Sequence, residues 1–367
     1  MEIRMEACGK RIGFDGRVLR FFRTRCYRPR SHATKSHATM CYSMVGKKPG
    51  IVERGIRCAV SQLIVAYLFL GGAGAGAFAV LACIDFRYCR SSAFSFRARR
   101  GSACSAGLYS QLVEKRYFAT LTKRGYAASF VVLALGAICL LADLGRPEIA
   151  YMLFTQPTLS YISVGTYSLT ALLLCVAFVA AAGCFSLPGS LDRIKPMALV
   201  IGFAAALLVM TYTGVFLQSM KSIALWNSPW LIALFFLSAL STGIALVMLC
   251  SISLNLDRTK TGILQRLAKT DLVVIVLEFA ACAVYLITVS GTSLGAQSVK
   301  RLIAGDNALV FMAGFVVCGL AVPGIMNAVS ARKQHDERID LAIACLVLLG
   351  GFCLRLSLFD ARIHSSM

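Results

Sequence analysis

Apolar residues in this chain gather into long unbroken runs instead of alternating with polar ones. Eight runs lie at roughly 58–84, 124–142, 161–186, 196–219, 229–254, 271–291, 307–329 and 339–358, and the polar links between them are short after residue 140. A helix needs about 20 apolar residues to cross ~30 Å of hydrocarbon, and each run meets that length. Helices also satisfy their own backbone in lipid. The pattern predicts an all-α fold, a polytopic membrane helical bundle with about eight transmembrane helices, over residues 44–367.

Composition agrees with the pattern. Hydrophobic residues make up 58% and charged residues 15% of the 367, against roughly half and a quarter in soluble domains. The formal charge of +21 points first to nucleic acid, but 14 of the 38 Lys and Arg lie in residues 1–57 and most of the others dot the links. The links 85–123, 187–195, 255–270 and 330–338 fall on one side of the membrane and carry most of this internal positive charge. The opposite side holds Arg146, Lys221, Lys300, Arg301, Arg355 and Arg362. Such asymmetry places the first set in the cytoplasm, and both ends of the helical core on the outer face of the cytoplasmic membrane. Membrane lipid is therefore an expected partner and nucleic acid is not. Residues 1–43, with the repeat SHATK then SHATM, are too basic for that outer side. They read as a basic, disordered tail or as an over-extended gene start ahead of Met44, and no function attaches to them. The link 85–123 reads as a solvated cytoplasmic loop.

Several chemistries are excluded by what the runs contain. The fifteen cysteines show no CxxC spacing, and Cys139, Cys175, Cys250, Cys282, Cys318 and Cys345 sit singly in apolar runs, where a thiol acts as a small hydrophobe. No iron–sulfur cluster is expected in this chain. All four histidines, His32, His37, His335 and His364, lie in the tail or in polar ends, so the spans offer no axial ligand and no haem is expected. No metal-ligand cluster, P-loop or Gly-x-Ser-x-Gly occurs. The stretch LFLGGAGAGAFAV in the first run resembles part of a dinucleotide fingerprint, but inside an apolar helix its glycines read as a packing surface.

Polar residues inside a membrane are expensive and so are candidates for function. Glu278 is expected on the cytoplasmic half, seven residues or ~10 Å into span six, with Asp271 capping that helix at the surface. Gln62 and Tyr67 fall in the outer half of span one, Tyr212 in that of span four and Tyr285 in that of span six. On the same side the second run ends in Asp143, Gly145, Arg146, Pro147 and Glu148. Nothing local decides between a helix stop and a site there. Trp226, in the external link 220–228, suits an interfacial belt.

Four stretches carry a resemblance. LLADLGRPEIAYMLFTQPTLSYISVGTYSLT, AYLFLGGAGAGAF, YTGVFLQSMKSIALWNSPWLIALFFLSALSTGIAL and LVLLGGFCLRLSLF, within about residues 58–360, resemble the signature of the NrfD / polysulfide reductase membrane-subunit family. The Leu-Gly-Arg-Pro turn and Trp-Asn followed by Ser-Ala-x-Ser-x-Gly are its more specific parts. The resemblance implies an integral membrane subunit of a multi-subunit oxidoreductase of molybdopterin/iron–sulfur type. Such a subunit anchors a four-cluster ferredoxin-like iron–sulfur subunit, often beside a molybdopterin catalytic subunit. It exchanges electrons with the quinone/quinol pool, menaquinone or another quinone, without haem. On that reading Gln62, Tyr67, Asp143, Arg146 and Tyr285 bind the quinone, Asp143 and Glu278 transfer protons, and Arg146, Trp226 and Asn227 meet the docked partner. Some members carry a His in the first helix, where this chain has none. The competing reading is a transporter or a purely structural membrane anchor, although no internal repeat of the kind transporters show is seen among the spans.

Overall fold

The computed structural model describes residues 51–98, 105–143, 161–184, 194–219, 224–252, 262–305, 308–330 and 337–360. Segment 1–43, the turn residues Arg146 to Glu148 and the carboxy-terminal Arg362 lie outside them. Two units are distinguished, Met1–Ile56, of which only the opening of the first helix is described, and Arg57–Met367, which contains everything below. In chain order the helices are α1 (Ile51–Ala98), α2 (Ser105–Asp143), α3 (Tyr161–Cys184), α4 (Lys195–Ser219), α5 (Trp230–Ile252), α6 (Gly262–Ser290), α7 (Ser293–Ala304), α8 (Leu309–Ala321), α9 (Val322–Ser330) and α10 (Glu337–Asp360). A 3-10 turn at Ala224–Trp226 precedes α5. No strand occurs among the described residues. Among the described residues eight segments are long and apolar enough to cross a membrane, α8 and α9 together making one of them.

The bundle has two ends. The turn end carries the connections α2–α3, α4–α5 and α6–α8. The basic end carries the connections α3–α4, α5–α6 and α9–α10. Along the bundle α3 packs on α2 and α4, α5 on α4, α6 and α10, and α10 on α8 and α9.

Three expectations are corrected. The link 85–123 is mostly helix, since α1 runs on to Ala98 and α2 begins at Ser105. Arg and Lys are good helix formers, so a basic stretch ends a membrane span without ending the helix. For the same reason α6 begins at Gly262, ahead of its apolar run, and Asp271 is not a cap but a fully buried residue nine positions in. Glu278 accordingly lies at the middle of its span, Gln265–Ser290, and not in the cytoplasmic half. Helix α7 is an addition that the apolar runs did not announce. Thr292 caps it by accepting a hydrogen bond from the Gly295 N–H, and Val299 and Leu302 anchor its buried face.

Small residues set the closest approaches. The glycine-rich stretch of α1 does form a packing surface, and α5 runs parallel to it. A Cβ on Gly76 would stand 2.1 Å from the Ala239 carbonyl oxygen, and one on Gly243 would stand 2.3 Å from the Gly76 carbonyl carbon. Backbone therefore rests on backbone, as small-residue packing in membranes requires. Gly319 of α8 and Gly350 of α10 make a second contact of this kind, with a Cβ on Gly350 only 2.2 Å from the Gly319 Cα. Helix α8 is also wide. Its turns close over five residues, as in the Val322 N–H bond to the Val317 carbonyl, a form that is rare and frequent at functional sites.

Candidate functional site

Helices α1 to α4 bring polar groups together near the turn end. Tyr67 of α1 is buried, at 7% exposure, and Tyr212 of α4 lies within electrostatic range of it. Gly165 of α3 makes room for the Tyr212 ring, since a Cβ there would stand 2.1 Å from Cζ. The antiparallel register of α1 and α2 is fixed by Gly71 against Gly136 and Gly74 against Leu133. Ser129 also donates to the Gly74 carbonyl at 2.8 Å. Carried outward, that register sets Asp143 level with Gln62 and Ile64, about one helical turn from Tyr67. Asp143 is half-buried, and its Oδ1 is shielded from solvent with no hydrogen-bond partner among the described residues. An unsatisfied buried acceptor costs about 1–3 kcal/mol and asks for a donor. A ligand hydroxyl entering between α1, α2 and α4 would supply one.

A second set of polar groups lies deeper, among α5, α6 and α10. Glu278 of α6 is 3% exposed and within hydrogen-bonding reach of the Ser238 and Ser241 hydroxyls of α5. Arg355 of α10, at 1% exposure, donates from Nη1 to the Ser238 Oγ at 3.3 Å and to the Gly351 carbonyl at 2.7 Å. Its guanidinium lies over two rings, 5.7 Å from the Phe69 centroid and 5.5 Å from that of Phe235. Ser238 thus links Arg355 to Glu278. Two turns along α6 the Asp271 Oδ2 accepts from the Asn327 Nδ2 of α9 at 2.8 Å.

Comparison with known proteins identifies the family. The chain matches the family described as "Polysulphide reductase, NrfD" over residues 58–363, which takes in all eight spans. The chain belongs to the NrfD polysulphide reductase family. Protein NrfD homolog of Haemophilus influenzae is 27% identical over 172 residues, 46% of this chain and 53% of that protein. The C subunit of the polysulfide reductase of Wolinella succinogenes is 25% identical over 311 residues, 80% of this chain and 90% of that one. Membership makes this a multi-pass membrane protein and places it among the membrane subunits of oxidoreductases.

Within this NrfD-family bundle the residues singled out from the sequence separate into groups. Tyr67 and Asp143 converge at the turn end, joined by Tyr212. Gln62 is exposed at the same level, and Arg146 lies outside the described residues. Tyr285 stands apart from these residues: its ring is fully buried and its hydroxyl donates to the Leu225 carbonyl at 2.7 Å. Trp226 is corrected too. The indole does not sit in an interfacial belt or on a docking face but is fully buried, its Nε1 donating to the Leu358 carbonyl at 3.2 Å. The two bonds fasten the 3-10 turn to α6 and α10, and of that pair only Asn227 is exposed. Tyr285→Phe removes the hydrogen bond to Leu225 and keeps the ring. It should lower stability by about 1–3 kcal/mol, through the stranded Leu225 carbonyl, read as an earlier thermal unfolding of the purified protein.

Sequence reasoning missed Arg355, Asp271 and Asn327. Arg355 was counted among the charges that mark the outer surface, yet it stands in LVLLGGFCLRLSLF with apolar residues on both sides. An arginine embedded in that way must find partners inside the protein. Four residues earlier, Gly351 offers both a carbonyl and the space for the side chain to fold back upon.

Proposed function

We propose that this chain is the quinone-interacting membrane subunit of an oxidoreductase complex, and that it binds a quinol headgroup at the turn end between α1, α2 and α4. The observation that carries this reading is the solvent-shielded Asp143 Oδ1, unpartnered among the described residues, level with Gln62 and one turn from Tyr67, with Tyr212 within electrostatic range of that tyrosine. The substrate is menaquinone or another quinone, and its isoprenoid tail would run along the apolar helix surfaces. Quinol oxidation releases two protons and two electrons. Asp143 accepts the proton of one quinol hydroxyl and water at the turn end takes the proton of the other, while Tyr67 and Tyr212 donate hydrogen bonds to the oxygens that become quinone carbonyls. A positioned base of this kind contributes roughly 10²–10⁴ in rate. The electrons leave to an iron–sulfur subunit docked over the turn end, which meets Asn227 and the Asp-Leu-Gly-Arg-Pro turn with Arg146. The terminal catalytic subunit is of the molybdopterin type. On this reading the turn end faces the outer side of the cytoplasmic membrane, with the basic end inside.

The test is steady-state quinol oxidation by the purified complex. Asp143→Asn keeps the shape and removes the base, so turnover should fall at least tenfold, consistent with the range for general bases. Tyr67→Phe should raise the KM for quinol several-fold with less effect on kcat. If both variants turn over like the parent, the headgroup does not sit between these helices.

A further inference from the structure

Glycine is a poor helix former, yet Gly165 stands inside α3 with helix on both sides. Its carbonyl accepts from the Ser168 hydroxyl at 3.0 Å, and its backbone is ordinary helix, so no unusual conformation asks for glycine. The position asks for space instead. A Cβ there would stand 2.1 Å from Cζ of Tyr212 and 2.4 Å from both Cε1 and Cε2. The end of the ring that carries the hydroxyl therefore lies against bare α3 backbone. The other close approach between these helices is different in kind, because Gly202 of α4 admits the Phe78 ring and the Cys175 Cβ, which are apolar.

The Tyr212 ring is held from three directions. On its own helix Phe216 packs against it, with ring centroids 5.9 Å apart. Gly165 supplies the seat from α3, and Tyr67 lies within electrostatic range from α1. Tyr212 is half-buried, so it borders the space between the helices and is not sealed in the core. A methyl group at 165 would make Cζ retreat by more than 1 Å before ordinary contact at 3.4 Å or beyond is restored. The hydroxyl travels with Cζ. A hydrogen bond between oxygens spans only about 2.5–3.0 Å, so a shift of that size breaks it.

We propose that Gly165 is a positioning residue for quinol binding: the bare backbone of α3 holds the Tyr212 hydroxyl where it meets a quinol oxygen, and a side chain at 165 withdraws it. The inference rests on the quinol reading above. Gly165 itself touches no substrate and acts through Tyr212 alone. That gives it a property which a glycine needed only for helix packing lacks. Its effect disappears once the Tyr212 ring is gone.

Two cycles test it in the assembled complex, each built from the parent, Gly165→Ala, Tyr212→Ala and the double variant. The first reads oxidation of a short-tailed naphthoquinol. Gly165→Ala should raise KM several-fold, about as far as Tyr212→Phe does, with kcat within twofold of the parent. Added to Tyr212→Ala, it should leave KM where it was. A parent-like KM in Gly165→Ala, or an equal rise in both backgrounds, overturns the inference. If Asp143→Asn slows turnover while Tyr212→Phe and Gly165→Ala leave KM alone, the quinol reading stands and this inference falls. If Asp143→Asn turns over like the parent, the quinol reading falls and takes the positioning role with it.

The second cycle reads thermal unfolding and needs no quinol. Gly165→Ala should lower the midpoint by a few degrees in the parent, where the methyl overpacks the ring. In the Tyr212→Ala background it should leave the midpoint unchanged or raise it, since alanine is the better helix former. A fall in both backgrounds shows that Gly165 seats something other than Tyr212 and overturns the inference. Should Gly165→Ala fail to assemble, recovery of assembly by Tyr212→Ala supports the coupling, and continued failure overturns it.

Discussion

Gly243→Val is expected to lower the thermal stability of the bundle sharply. The α1–α5 contact is made by main chain, and the first side-chain atom added at Gly243 would stand 2.3 Å from a carbonyl carbon of Gly76 and 2.5 Å from the Ala77 nitrogen. No rotamer relieves such a clash, because nothing on the α1 side is free to turn. The helices must separate, and with them go the van der Waals contacts that drive helix association in lipid. Overpacking typically costs 1–3 kcal/mol and occasionally more. A backbone clash belongs at the top of that range, which lowers the unfolding midpoint by about 6 °C. Gly324→Ala is the control. Its Cβ would meet the Ile275 Cγ2 at 3.5 Å, an ordinary contact, so its midpoint should match the parent or exceed it. Thermal unfolding of the detergent-purified proteins decides. Equal midpoints for the two variants would mean that the α1–α5 contact is looser than described.

The second large effect is expected at Arg355. Arg355→Met removes the Nη1 bonds to Ser238 and Gly351 and the positive charge that faces Glu278. Each buried acceptor left without its donor costs about 1–3 kcal/mol, and Glu278 loses the charge that faces it. The electrostatic part of that loss should return in the double variant Arg355→Met, Glu278→Gln, where both positions are neutral and similar in length. A double-mutant cycle measured by unfolding reports the coupling. Additive losses would show that Arg355 and Glu278 do not sense each other.

The sequence carried the membrane fold plainly, and the reason is thermodynamic. Hydrocarbon demands an unbroken apolar length, so the runs at 196–219 and 229–254 matched α4 and α5 to within two residues. Helix limits outside the hydrocarbon were not legible, because Arg, Lys and Glu favour helix in water, and α1, α2 and α6 overran their apolar runs. Side-chain destinations were the hardest to read. Asp271 looked like a surface charge until α9 brought Asn327 to it from 56 residues away. Trp226 looked amphipathic enough for an interface until Leu358 supplied a carbonyl inside the protein. The common level of Tyr67 and Asp143 was legible because depth follows from residue counting alone. The link between Tyr67 and Tyr212 needed the register of α1 against α4, where Phe78 meets Gly202, and single-sequence periodicity holds no such register.

The parallel pairing of α1 with α5 also has a consequence for how the protein is made. Gly76 and Gly243 are 167 residues apart in the chain, so at about 5–20 residues per second the ribosome needs roughly 10–30 s to produce the partner. Through that interval the glycine face of α1 is in the bilayer with α2, α3 and α4 already emerging, and its widest groove is still vacant. Another membrane protein with a small-residue stripe could occupy it first. The order of synthesis therefore makes α1 the stretch most in need of an escort during insertion. Slowing translation between residues 100 and 230 should lower the yield of assembled bundle more than slowing it after residue 260.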